Sequence, residues 1–174
     1  MRAVWCALIL CAACGDNLNG NIAIEVPPAW SDAVGELVAL TPYHGLTIGG
    51  DAPLAIEVVD DASIPAEGYQ IEPDAKDHWI VHAHDVLGAQ YGVAGALENL
   101  GFRWRHPFEP YTPTAPAARG QEIGHVLVPP VRERDQHIHT IHPIEGYFEL
   151  CEPSPGSQND AHSIIDWVIK KRGK

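Results

Sequence analysis

The chain has 174 residues, with 23 Asp and Glu against 11 Lys and Arg and a formal net charge of −12 at pH 7. An acidic balance of this size argues against a nucleic-acid partner and against electrostatic docking on anionic lipid. Three of the four cysteines (Cys6, Cys11, Cys14) lie in the first 14 residues and Cys151 stands alone, so no disulfide framework supports the fold.

Met1-Arg2 is a minimal positive start, and Ala3 to Ala13 is an apolar run too short to span a bilayer. Its end, Cys11-Ala12-Ala13-Cys14, resembles a bacterial lipoprotein signal, in which the last cysteine is acylated and becomes the first mature residue. The pattern fits at Ala12 and Ala13 and departs at Cys11, where an aliphatic residue is usual. Acylation of Cys11 instead would put bulky Leu10 before the cleavage site. An ordinary secretory peptide cleaved nearby is the plainer alternative. Either way the chain is expected to leave the cytoplasm, with residues 1–13 as signal, Cys14 as lipidation site and 14–20 as a polar tether in the cell envelope. Loss of Arg2 makes the remainder one unit more acidic.

Residues 21–105 read as a small α+β domain, a mixed sheet with helices packed on it. Ile22 to Val26 is a strand, Pro27-Pro28 ends it, and Trp30 to Leu40 is a helix with Val34, Leu37 and Val38 inward. A short Leu46-Thr47-Ile48 run and a strand from Leu54 to Val59 follow. Gly68 to Glu72 and His78 to Ala83 then form a hairpin with Pro73 to Asp77 as its loop. In the second arm Trp79, Val81 and Ala83 share one face, while His78, Ile80 and His82 share the other.

The helix after this hairpin organises the chain. Asp85 caps it, and Gly101 sits just past its last apolar position, where a left-handed turn is needed. Val86, Val93, Leu97 and Leu100 form one apolar stripe, expected to face the sheet. Gly88, Gly92 and Gly95 form a second stripe with no side chains at all. Each glycine costs about 1 kcal/mol relative to alanine inside a helix, so close approach on that face must offset the loss. Packing is the expected use of the glycine stripe, and ligand contact is the alternative. Phe102 to Trp104 then resumes extended chain.

The run Glu67-Gly68-Tyr69-Gln70-Ile71, the strand at Trp79-Ile80-Val81, then Gly88-x-x-Tyr91-Gly92-Val93, Leu97-Glu98-x-Leu100-Gly101 and Arg103-Trp104 carry a resemblance. This stretch, from Pro53 to Pro107, is similar to the N-terminal accessory domain of family-20 β-hexosaminidases, family-67 α-glucuronidases and related bacterial glycoside hydrolases. The resemblance implies a sheet-and-helix domain without catalytic residues, set before a TIM barrel. It also implies that a barrel lies against the domain, leaving Leu87, Tyr91 and Ala94 less buried in this chain than their types suggest.

Residues 106–130 carry six prolines, Pro107, Pro110, Pro113, Pro116, Pro129 and Pro130, and read as a connector whose Ile123 to Val128 can pair with the sheet edge. In residues 131–174, Gln136 to Ile141 is a strand and Asp160 caps a last helix with Ile164, Ile165, Val168 and Ile169 as its apolar face and Trp167 beside it. One strand and one helix resemble the first β/α unit of a (β/α)8 barrel. The expected fold is thus α+β followed by an incomplete barrel, a chain truncated relative to its family, with a missing or separate catalytic barrel as partner.

Barrel chemistry sits at the C-terminal ends of the strands, here Thr140 to Glu145. His139, His142 and Glu145 are therefore the candidate carbohydrate contacts. His137, His139 and His142 form the densest titratable group, but the sequence supplies no fixed helical His pair and no H-E-x-x-H, and no metal is expected. His82 and His84 read as a strand end entering a helix cap. Glycoside hydrolysis needs two positioned carboxylic groups or one plus the substrate's acetamide. Family-20 enzymes carry an adjacent Asp-Glu pair, and no Asp-Glu dipeptide occurs in this chain. Glu145 and Glu149 have no evident partner, so no catalytic residue is carried over. G-x-S-x-G, P-loop and dinucleotide fingerprints are absent, Cys151 has no identifiable base, and no cofactor is expected. The leading expectation is an exported lipoprotein portion of a glycoside hydrolase, inactive as this chain. The alternative is a non-enzymatic envelope lipoprotein that binds carbohydrate, with Trp30, Trp79 and Trp104 available to stack on sugars. A third, metal-binding lipoprotein would rest on the histidines.

Overall fold

The computed structural model describes residues 20–75, 77–118, 123–131 and 155–173. They form a mixed α/β unit with a six-stranded mixed sheet and three helices. The strands are β1 (Ile22–Glu25), β2 (Leu46–Ile48), β3 (Leu54–Asp60), β4 (Tyr69–Pro73), β5 (His78–Ala83) and β6 (Val126–Leu127). The helices are α1 (Ser31–Ala39), α2 (Val86–Asn99) and α3 (Pro155–Lys170), and a 3-10 turn, Pro28–Trp30, leads into α1.

The strand order is β2-β1-β3-β5-β4-β6. The first four run parallel, while β4 is antiparallel to β5 and to β6. The loop from Asp61 to Gly68 carries the chain past the position β5 later fills, so the hairpin's second arm inserts between its first arm and β3. Period-two alternation gives the sheet two unlike faces. Leu54, Ile56 and Val58 of β3, Tyr69 and Ile71 of β4, and Trp79, Val81 and Ala83 of β5 are buried. Their alternates, among them Glu57, His78, His82, Gln70 and Glu72, are not. From β1 to α2 the element positions expected from the sequence hold to within a residue or two, including Val34, Leu37 and Val38 as the inward side of α1. The connector does add a strand: Leu127 and Val126 pair with Tyr69 and Gln70.

Helix α2 lies against β3, β4 and β5, with α1 and α3 also packed on it. The Asp85 carboxylate accepts the Gly88 N–H at 2.8 Å and the Glu67 N–H at 2.9 Å, tying the helix start to the loop before β4. At the other end Gly101 adopts φ 105°, and the Phe102 N–H returns to the Leu97 carbonyl at 3.1 Å.

The expected assignment of the two stripes needs correction, because the glycine stripe is the one that meets β4 and β5. A Cβ on Gly88 would stand 2.3 Å from the Gly68 carbonyl oxygen, and one on Gly92 2.3 Å from Val81 Cγ1. One on Gly95 would stand 3.2 Å from the Tyr69 hydroxyl and 3.3 Å from Ile71 Cδ1. These strands present bulky side chains, and the helix matches them with a hollow. Val93, Leu97 and Leu100 are fully buried, while Val86 is only half-buried.

Leu87 is half-buried as expected, but Tyr91 and Ala94 are fully buried. For Tyr91 a cause lies beyond residue 130: its hydroxyl donates to the Gly173 carbonyl at 2.6 Å, just after α3. One further expectation, for α3, is corrected. Asp160 lies inside the helix rather than capping it, since α3 begins at Pro155. On its apolar face Ile164, Val168 and Ile169 are half-buried and Ile165 is 54 % exposed, while Asp166 and Lys170 are buried. The strand expected at Gln136 to Ile141 lies outside the described residues.

Candidate functional site

The carbohydrate contacts expected at His139, His142 and Glu145 lie outside the described residues, as do His137, Glu149, Cys151 and the lipidation site Cys14. Chemistry within the described residues gathers in two places.

The first is the face of the sheet that alternates with the buried one, where each of two histidines stands between two carboxylates. His78 meets Glu57 at 3.4 Å through Nε2 and Asp74 at 3.2 Å through Nδ1. His82 meets Asp61 at 3.2 Å through Nδ1 and Glu72 at 3.8 Å through Nε2. The spacing follows from register, because His82 pairs with Val59 on one side and Gln70 on the other, leaving side chains of three strands in one row. The hydroxyl and backbone N–H of Ser63, and after them His82, hold the Asp61 carboxyl below the ordinary carboxylate range. Each imidazole spends both nitrogens on separate acids, so the groups do not converge. Among the described residues no three His, Cys, Asp or Glu side chains are placed to hold a metal ion. His84 has left this row, its Nδ1 buried without a hydrogen-bond partner beside the α2 cap.

The second place is the seam between α3 and the α1–α2 layer. Lys170 Nζ lies 2.5 Å from Asp166 Oδ2, donates to Thr41 Oγ1 at 2.8 Å, and stands 4.6 Å from the centroid of the Trp104 ring. Asp166 is 8 % exposed and Lys170 2 %. Burial pushes the Asp166 carboxyl up, against the pull of the Lys170 ammonium, and pushes Lys170 down, against the pull of Asp166. Desolvation acts on both partners, as expected for an ion pair inside protein. Around the pair, His162 Nδ1 meets Glu36 Oε1 at 2.5 Å on the surface, and Trp167 Nε1 donates to the Trp104 carbonyl at 3.0 Å. Arg172 reaches the Tyr69 hydroxyl at 2.9 Å and Glu98 at 3.2 Å.

A notch of about 30 Å³ opens beside the pair, lined by Ala33, Glu36, Leu37, Gln90, Ile165, Asp166 and Ile169. It has room for a water, against the several hundred Å³ of a ligand pocket (roughly 300 or more). With Lys170 closed off from solvent and the notch beside Asp166 no larger than a water, the chemistry of the pair is cohesion. Trp79 and Trp104 are each 2 % exposed, so neither offers a face to a sugar, and Trp30 is half-buried. The seam pair was missed in the sequence, although Asp and Lys four residues apart on one helix is a readable signal.

Searched against models of known protein families and against curated protein sequences, the chain matches none.

Proposed function

We propose that this chain is an exported, lipid-anchored protein built on the accessory domain of glycoside hydrolases, with Cys14 as the acylated residue and no hydrolytic activity of its own. The observation that carries the reading is that the residues of the resemblance act together. Tyr69, Val81, Gly88 and Gly92 belong to one helix-on-sheet contact, Gly101 ends the helix at φ 105°, and Trp104 is buried. The domain's role in this reading is to present a scaffold to a catalytic (β/α)8 barrel, of which residues 131–174 supply the first unit, and His139, His142 and Glu145 are its carbohydrate contacts.

The test is a panel of aryl glycosides, including N-acetylglucosaminides and glucuronides, incubated with the purified chain. No turnover is expected, and turnover of any member would overturn the assignment of a non-catalytic chain. Palmitate labelling of cells expressing the wild type and Cys14→Ser tests the anchor, with label expected in the wild type alone.

The carbohydrate-binding alternative has one observation in its favour, the polar row of Glu57, His78, His82, Gln70 and Glu72 on one sheet face, left uncovered by the described residues. Such a row can hydrogen-bond sugar hydroxyls. Saturable glycan binding that is lost in His78→Ala/His82→Ala would favour it over the scaffold reading.

A further inference from the structure

The buried apolar core runs from Ile22 to Trp104 and contains no residue of α3, which adds only the partly buried Trp167 and Ile169 at its margin. Sheet, α1 and α2 therefore close around their own side chains. What α3 brings to the seam is mostly polar. Its two buried side chains are the charged Asp166 and Lys170, and Ile165 is left 54 % exposed. Further polar links are His162 to Glu36 on the surface and, towards the C-terminal end, Trp167 to the Trp104 carbonyl, Tyr91 to the Gly173 carbonyl, and Arg172 to Tyr69 and Glu98. Arg172 also sits at φ 60°, a left-handed conformation that disfavours a side chain and is held here at the helix end. A helix required for folding buries an apolar stripe; a seam of paired charges and hydrogen bonds is one that water can replace on both sides.

We infer that α3 is a latch, docked on the α1–α2 face and able to release as a unit while the sheet, α1 and α2 stay folded, with the Asp166–Lys170 pair as its lock. Release uncovers the Thr41 and Tyr91 hydroxyls, paired in the docked state to Lys170 and to the Gly173 carbonyl, together with the Trp104 ring and the notch beside Gln90. The inference does not depend on the glycoside-hydrolase reading, since it uses only contacts within this chain. The lock follows from the asymmetry of buried ion pairs. Removing one partner strands the other charge in a poorly solvated place, whereas replacing both with apolar side chains is close to neutral.

Native-state hydrogen exchange of the full chain, read by mass spectrometry, tests this directly. In the wild type, amides of Ile164–Lys170 are expected to exchange at least about tenfold faster than those of Gly92–Leu97, which report opening of the core. Asp166→Asn should accelerate exchange in α3 by about tenfold or more and leave α2 unchanged, while Asp166→Leu/Lys170→Met should return α3 to within about threefold of the wild type. A single exchange rate for α3 and α2 in the wild type would overturn the latch, because the two would then open together. Should Asp166→Asn fail to fold, the wild type and the double variant still decide the matter. A double variant whose α3 exchanges as fast as that of an unprotected peptide would overturn the lock.

Discussion

Gly92→Ala is the sharpest probe of how α2 is seated. Elsewhere in a helix interior the substitution gains about 1 kcal/mol, because alanine gives up less backbone freedom on folding. Here the new Cβ would stand 2.3 Å from Val81 Cγ1 and 3.2 Å from Tyr69 Cβ. Carbon atoms pack at about 3.5–4.0 Å, so the helix must lift by more than about 1 Å or Val81 must leave its rotamer. Val81 and Tyr69 are both fully buried, and β-branched valine has little rotamer freedom to give. Overpacking of this kind costs about 3 kcal/mol at its upper range, leaving a net destabilisation of about 2 kcal/mol. Val81→Ala removes the clashing methyl and on its own costs about 2 kcal/mol through lost burial and a cavity. In the double variant the new methyl fills part of that cavity and the helix gain survives. The pair should then lose only about 1 kcal/mol rather than the additive 4, a coupling of about 3 kcal/mol. Urea unfolding followed by tryptophan fluorescence reads these differences as midpoint shifts at constant slope. Gly35→Ala in α1 is the control, since its Cβ would find nothing nearer than Ile48 Cγ1 at 4.0 Å, and it should stabilise by about 0.5–1 kcal/mol. Additivity of Gly92→Ala and Val81→Ala, or a Gly92→Ala variant as stable as the wild type, would refute the seating of the glycine face on β5.

Asp85→Ala should lower stability by about 1–2 kcal/mol in the same assay, because it orphans the Gly88 and Glu67 N–H groups together; Asp85→Asn, which retains one acceptor, should lose less. Asp61 has a folded-state carboxyl held low, so its contribution is present above the ordinary carboxylate value and is lost as pH falls through the lowered one. The stability gap between wild type and Asp61→Asn should accordingly be open at pH 6 and close on acidification below about pH 4, and a gap that widens in acid would contradict the sign. His162→Ala should change stability by less than about 0.5 kcal/mol by urea midpoint despite its short contact with Glu36, since both side chains are more than half exposed.

The positions of the elements were legible in the sequence because two periodicities were clean. Leu54, Ile56 and Val58 alternate, as do Trp79, Val81 and Ala83, and the cap at Asp85 and stop at Gly101 bracket α2 chemically. Strand order was not legible. It depends on how far the Asp61–Gly68 loop travels before β4 begins, which no local preference encodes. Which stripe of α2 meets β4 and β5 was misread for a related reason. Hydrophobicity favours Val86, Val93 and Leu97 as the sheet side, yet the contact is decided by the size of Tyr69, Ile71 and Val81 opposite. Volume complementarity is a property of pairs of surfaces, and a single chain read in order shows one surface at a time.

The α3 seam extends the same point to charge. Asp166 and Lys170 at i and i+4 read by default as a solvent-facing pair, because exposed pairs of that spacing far outnumber buried ones. What buries them is supplied from distant parts of the chain: the Thr41 hydroxyl at the end of α1 and the ring of Trp104 after α2. Neither is recognisable as a lysine site until the fold brings them within reach of one ammonium group. The carbohydrate contacts expected at His139, His142 and Glu145 were, by contrast, placed by analogy with a barrel, not by any contact this domain makes. The seam and that proposal therefore bear on different questions. The first says what holds the C-terminal helix to the domain, and it stands or falls on hydrogen exchange. The second is a proposal about glycoside chemistry, and it stands or falls on turnover and glycan binding.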